Sequence, residues 1–222
     1  MRQGWLSARR WWSGRQAFEP PFAGLVKTDI PPASAPVEAV EFVSLDIETT
    51  GLDAATADML SVGWVVVRGN HADLESAEMY IVRPSGDVGD SASVHGLTDT
   101  VVGAGLDWGV VLDKIVRVLT GRVLVVHHAG LDKALLDRMC RERYGAPLLV
   151  PVVDTLALEH RRLRRIHHIE AGGSLKLANL REAYALPRYA AHDCLVDAIA
   201  TAELLLAIIA HRPARRLGDL SA

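Results

Sequence analysis

Hydrophobic positions follow two different periods along the chain. Phe42 to Glu48, Leu60 to Arg68 and Ala77 to Arg83 are runs rich in Val and Ile, separated by polar turns such as Arg68-Gly69-Asn70, and they predict three strands. Their short connections favour an antiparallel meander. Beyond Leu106 the period lengthens. Trp108, Val111, Leu112, Ile115, Val116 and Leu119 recur at helical spacing, and Gly121 follows as a stop. Val123 to Val126 is wholly apolar, the pattern of a strand buried on both faces. Leu131 to Tyr144 reads as helix and Leu148 to Val153 as extended chain. Asp154-Thr155 opens another helix, with Asp154 suited to be its N-cap. Ser174 to Ala185 and Cys194 to His211 are helical, with Leu175, Leu177 and Leu180, then Leu204, Leu205 and Ile208, on their apolar faces. A meander followed by alternating strands and helices predicts an α/β fold, a mixed sheet covered by helices.

The two ends of the 222-residue chain depart from this order. Residues 1–38 read as an extension: Trp5, Trp11 and Trp12 alternate with Arg2, Arg9, Arg10 and Arg15, and Pro20-Pro21 and the run Pro31 to Pro36 read as linker. Residues 1–16 could engage a protein partner or nucleic acid, or their tryptophans could pack back on the parent domain. The main domain is expected over residues 39–212, with 213–222 as a short tail. No apolar segment follows Arg9-Arg10, so no export signal is expected there. The apolar stretch Ala198 to Ala210 contains Glu203 and is too short to cross a bilayer, so no membrane association is expected. Cys140 and Cys194 lack zinc-site spacing and suggest a reducing compartment, hence a cytoplasmic protein. A net charge of −3 gives nucleic-acid binding no global support, so any such contact must be local.

Candidate chemistry begins at the end of the first strand. Side chains at i and i+2 of a strand share a face, so Asp46 and Glu48 stand side by side. Two carboxylates so close repel unless a cation lies between them, and Mg²⁺ or Mn²⁺ suits oxygen ligands. A pair of acids at an exposed strand end is the plain alternative. Two further acids stand out. Asp132 lies near a predicted helix start, where it could simply stabilise the helix. Asp197 sits between Leu195, Val196, Ala198 and Ile199, an apolar setting costly for an unpaired carboxylate.

Four blocks then occur in a telling order: Asp46-Ile47-Glu48-Thr49-Thr50-Gly51-Leu52, Val94-His95-Gly96-Leu97-Thr98, His127-His128-Ala129-Gly130-Leu131-Asp132, and His192-Asp193-Cys194-Leu195-Val196-Asp197. From Val40 to His211 the chain resembles the DEDD 3′→5′ exonucleases of the ribonuclease H-like class. Within them it resembles the histidine-containing (DEDDh) subclass, which includes the proofreading epsilon subunit of bacterial DNA polymerase III, ribonuclease T and oligoribonuclease. Tyr189 also satisfies the spacing of the sister subclass, in which tyrosine replaces histidine, but the whole block from His192 to Asp197 fits the histidine pattern better. The chain departs from the family at His128, where asparagine is common, and at Leu131, where an aromatic residue is common.

The resemblance implies a five-stranded sheet, an antiparallel meander plus parallel strands, flanked by helices. It implies two divalent cations, Mg²⁺ or Mn²⁺, held by Asp46, Glu48, Asp132 and Asp197, with His192 as general base. Thr49, Thr50, Gly51, Leu52, Leu97 and His128 would meet the terminal nucleotide. Arg161, Arg162, Arg164 and Arg165 form a basic run that could track phosphates, or be only a solvated helical face. The implied activity is release of nucleoside 5′-monophosphates from single-stranded 3′ ends, DNA in preference to RNA. The chain stops at Ala222 without a clamp-binding glutamine motif, which suggests a stand-alone DNA exonuclease related to the epsilon subunit. RNA trimming, and a nucleic-acid-binding protein without catalysis, are the competing readings.

Overall fold

Strand β1 (Phe42–Thr49) is the middle of the sheet and is buried along nearly its whole length. In the computed structural model the described residues are 6, 9–10, 13, 17–83, 105–167, 175–190, 192–211 and 214–220. Among them five strands form one sheet in the order β3-β2-β1-β4-β5, with β2 (Met59–Arg68), β3 (His71–Ile81), β4 (Val123–Val126) and β5 (Val152–Asp154). β1, β2 and β3 pair antiparallel, whereas β4 runs parallel to β1 and β5 parallel to β4. The helices are α1 (Phe22–Lys27), α2 (Trp108–Leu119), α3 (Asp132–Tyr144), α4 (Thr155–His167), α5 (Leu177–Ala183) and α6 (Cys194–His211). The mixed, helix-flanked sheet expected from the sequence is the fold observed.

The strict alternation of β1 divides the interior in two. Val43, Leu45 and Ile47 face a core built with Val111, Leu112 and Ile115 of α2 and Leu135 and Leu136 of α3. Phe42 faces the other way, into a core with Val65, Val67, Leu158 of α4 and Ala202 and Leu205 of α6. Asp46 and Glu48 have the parity of Phe42, so they belong to the face that α6 covers.

Several expected boundaries move, for identifiable reasons. β3 begins at His71 rather than Ala77. Its first half is polar because β3 is an edge strand with an exposed face, and pairing of Arg68 with His71 and Val66 with Asp73 extends it regardless. β5 keeps only three residues, and Leu148, Leu149 and Val150 are buried without strand pairing. Helix α6 has 18 residues and is apolar enough to cross a membrane by length and composition, contrary to the shorter stretch read from sequence. It is instead the core helix laid across β1 and β2, with Ala198, Ala202 and Leu205 fully buried.

The proline-rich linker is the clearest correction. Val37 N–H donates to Arg215 O, while Leu217 and Gly218 donate to Ala35 O and Ala33 O, so this stretch zips to the C-terminal tail. Leu217 and Leu220 are buried beside Val37 and Val40. Helix α1 is likewise part of the first core, with Phe22 fully buried and stacked on Tyr144 at 4.7 Å between ring centroids. The boundaries at 38 and 213 therefore cut through packed structure. Of residues 1–16 only 6, 9, 10 and 13 are described, and the three tryptophans lie outside the described residues.

Arg10 ties that N-terminal stretch down. Its buried guanidinium donates to the carbonyls of Leu149, Leu25, Val26 and Thr28, collecting the open carbonyls at the end of α1. Replacing it by Leu strands several buried acceptors, each costing about 1–3 kcal/mol in isolation. Arg10→Leu is therefore expected to lower the melting temperature by about 5 °C or more, by calorimetry, with no direct effect on the acidic cluster.

Candidate active site

The end of β1, the start of α3 and the first turn of α6 each bring acids to one edge of the sheet. Asp46, Glu48 and Asp197 each offer a carboxylate oxygen, and these atoms lie within 4.8 Å of one another. Glu48 is buried and Asp46 and Asp197 are half-buried. Burial, then the charges of Asp132, Glu48, Asp197 and Asp193, hold the Asp46 carboxyl well above the ordinary range. Asp197 is raised mainly by burial, against the opposing effect of a hydrogen bond from the backbone N–H of His192 at 3.0 Å.

Asp132 stands outside that trio but within its field. It is 5% exposed, and burial followed by Asp154 and Glu48 pushes its carboxyl up to about 8. An aspartate whose only task was to stabilise a helix start would keep its charge easily. Here burial and the neighbouring acids oppose ionisation. Groups whose native carboxyls resist ionisation bind protons more tightly folded than unfolded. Stability from this source is fully present below about pH 4 and is lost as pH rises towards 8. The chelator-treated protein is therefore expected to melt several degrees lower at pH 8.5 than at pH 5.5. Mg²⁺ or Mn²⁺ should recover most of that loss, as thermal melts across pH would show.

The donor set suits a hard divalent cation: carboxylate oxygens converge from separate elements, and their mutual repulsion adds to burial in holding the Asp46 carboxyl up. Their placement follows from local chemistry. Asp193 caps α6, accepting from Leu195 N at 3.0 Å and Val196 N at 3.1 Å, and so sets the direction of the turn that carries Asp197. Asp154 caps α4 through Ala157 N, as expected, but also accepts from the N–H groups of His128 and Ala129. It thereby holds the loop that leads from β4 to Asp132. His127 closes the same loop: burial lowers its pKa, its Nδ1 lies 2.7 Å from the Thr155 hydroxyl and its Nε2 lies 2.9 Å from Leu175 O.

The remaining predicted residues divide. His192 is exposed beside the cluster and adopts a positive φ of 70°. His128 is exposed with φ 103°, a backbone state in which Asn, Asp and His are enriched among non-glycine residues. Histidine can therefore stand where asparagine is common. Thr49 donates to Gly51 O, and Thr50 Oγ1 accepts from Asp58 N, so both hydroxyls are engaged in the turn after β1. Leu52 is 91% exposed at the tip of that turn. Leu97 lies outside the described residues.

Tyr189 is turned to a different task. Its hydroxyl donates to Glu203 at 2.9 Å, and the Arg181 guanidinium lies 4.4 Å from its ring centroid. Arg162 is a correction. Its Nε donates at 2.7 Å to Glu159, which is fully buried and also accepts from the Tyr184 hydroxyl. Arg162 thus neutralises an interior carboxylate through its Nε, a structural task the basic run did not reveal. Arg161, Arg164 and Arg165 are three and four positions apart and share one face of α4, with the last two exposed.

Comparison with known proteins bears on the family and the fold. The model of the Exonuclease family (RNase T type) matches residues 43–205. A DNA polymerase III subunit epsilon-like protein of Rhodobacter capsulatus is 30% identical over 86% of this chain, which spans 27% of that relative's length. The DNA polymerase III subunit epsilon of Treponema pallidum is 26% identical over 78% of this chain and 79% of its own. Among solved structures, an E. coli exonuclease I complex with single-stranded DNA superposes with a TM-score of 0.67 at 16% identity, covering 81% of this chain and 42% of that one. That likeness bears on the fold.

Proposed function

This chain belongs to the exonuclease family, and from that premise we propose that it is a metal-dependent 3′→5′ exonuclease acting on single-stranded DNA ends. The observation that carries the proposal is the carboxylate cluster of Asp46, Glu48 and Asp197, with the buried, charge-resisting Asp132 beside it. These four residues would hold two divalent cations, Mg²⁺ or Mn²⁺. When bound, the cations supply Lewis acidity and charge neutralisation at the scissile phosphate.

The chain's own residues do the rest. His192 accepts a proton from the attacking water, whose oxygen forms the new bond to phosphorus as the bond to the 3′ oxygen of the preceding nucleotide breaks. Its exposure suits a group that must exchange protons with solvent, and its N–H contact to Asp197 keeps it at the cluster. The product is a nucleoside 5′-monophosphate. Leu52, almost wholly exposed beside the acids, offers an apolar surface to the terminal base. Gly51 and the turn fixed by Thr49 and Thr50 let the backbone approach the terminal sugar. Arg161, Arg164 and Arg165 give the strand a sequence-independent electrostatic track.

DNA is favoured over RNA because the relatives by sequence carry the names of DNA polymerase subunits. The test is digestion of matched single-stranded DNA and RNA oligonucleotides with Mg²⁺, with Mn²⁺ and with chelator. Metal-dependent release of 5′-mononucleotides, faster from DNA, is the expected result. Hydrolysis indifferent to chelator would exclude the proposed chemistry.

A further inference from the structure

The cluster needs a side chain from α6 to meet two from β1, and the sheet provides an unusually low platform for that approach. Gly63 of β2 pairs directly with Asp46, so both positions face α6. A Cβ placed on Gly63 would lie 2.5 Å from the Cα and N of Leu195 and 2.7 Å from the carbonyl carbon of Cys194. These are backbone atoms of the first turn of α6, so no rotamer change can relieve the contact. Two small residues on the same face complete the platform. The buried Ser44 hydroxyl donates to Ala198 O at 2.7 Å, and the buried Ser61 hydrogen-bonds the Cys194 thiol.

We propose that Gly63 is a positioning residue whose bare backbone sets the distance between Asp197 on α6 and Asp46 and Glu48 on β1, and so the size of cation the cluster accepts. This deepens the metal-dependent reading above and rests on it. Ordinary contact for a Cβ begins near 3.4 Å. An alanine at position 63 therefore drives the first turn of α6 outward by roughly 1 Å, against a tolerance of about 0.2 Å for metal–ligand distances. Mg²⁺ demands near-ideal octahedral ligation at about 2.0–2.1 Å, whereas Ca²⁺ accepts looser sets at about 2.3–2.6 Å. Widening the cluster thus penalises Mg²⁺ more than Ca²⁺.

The experiment is calorimetric titration of the full chain with Mg²⁺ and with Ca²⁺, for wild type, Gly63→Ala and Leu205→Val. The last variant loosens the buried side of α6 well beyond the cluster. Gly63→Ala is expected to lose at least tenfold more affinity for Mg²⁺ than for Ca²⁺, while Leu205→Val keeps the wild-type ratio. A Gly63→Ala protein with an unchanged Mg²⁺-to-Ca²⁺ ratio overturns the proposal. If that variant fails to fold, Ser44→Ala carries the test, because it releases the helix without adding bulk. A several-fold loss of Mg²⁺ affinity with a native circular-dichroism spectrum supports the role, and an unchanged affinity overturns it. A wild-type chain that binds neither ion would sink the metal-dependent reading itself, which keeps the two failures distinguishable.

Discussion

Asp46→Asn is expected to lower turnover by about 10³–10⁵-fold, the equivalent of losing several kcal/mol of charge stabilisation at the scissile phosphate. The substitution keeps size and shape, so the fold should survive. Its effect on stability has the opposite sign to its effect on rate. Asp46 lies among four other carboxylates and resists ionisation because of burial and their charge. Removing its titration therefore raises the melting temperature of the metal-free protein, most at alkaline pH, where the wild-type carboxyl is forced to ionise. The stabilisation given by Mn²⁺ should shrink in parallel. Turnover and melting temperature measured on one preparation check both signs, and near-normal turnover would remove Asp46 from the site.

His192→Ala is expected to reduce the catalytic constant by about 10²–10⁴-fold, the usual contribution of a positioned base. Tyr189→Phe should change it less than threefold, although both residues satisfy a spacing known among these nucleases. The difference lies in what each residue contacts. The Tyr189 hydroxyl is bound to Glu203, whereas the backbone N–H of His192 donates to Asp197 in the cluster. Tyr189→Phe removes one partner of Glu203 and leaves it the guanidinium of Arg181 at 2.7 Å, so a small loss of stability is its main expected effect. Single-turnover rates for the two variants decide between them. A crippled Tyr189→Phe enzyme beside an active His192→Ala enzyme would reverse the assignment.

The sequence was most informative where one face of an element had to be apolar. The alternation of β1 and the helical spacing of α2 placed both elements to within a residue or two, because burial on a known period leaves little freedom. The candidate acids were legible by other signals: Asp46 and Glu48 as a pair on one strand face, Asp197 as a charge in an apolar setting, and Asp132 through its place in the ordered blocks. What escaped was structure held by backbone groups. The proline stretch from 31 to 36 carries no pattern of its own, yet its carbonyls accept from the C-terminal tail. Helix α1 has only six residues, too short to show a period, and nothing in the Trp/Arg alternation set Arg10 apart as the residue that gathers four carbonyl partners.

The same limit applies within the site. Arg162 was indistinguishable from its neighbours in a basic run, and only the buried Glu159 one turn earlier separates it. That pair is spaced i and i+3, so the signal was present, but the burial that gives it meaning was not. Gly63 offers a second example. A glycine inside a Val-rich strand signals close backbone approach, and its parity with Asp46 becomes visible only once the strands are in register. Asp154 read correctly as a helix cap and incompletely as a brace for the loop before Asp132.

The central claim is directional, metal-dependent removal of nucleotides from a 3′ end. Its most direct test follows one single-stranded DNA oligonucleotide labelled at the 3′ end in one set and at the 5′ end in another, digested with Mg²⁺ by the wild-type chain and by Asp46→Asn. The account predicts that the 3′ label leaves at once as a mononucleotide while the 5′ label shortens through a ladder, with neither event in the variant. Immediate release of the 5′ label, or equal digestion by wild type and variant, would contradict it.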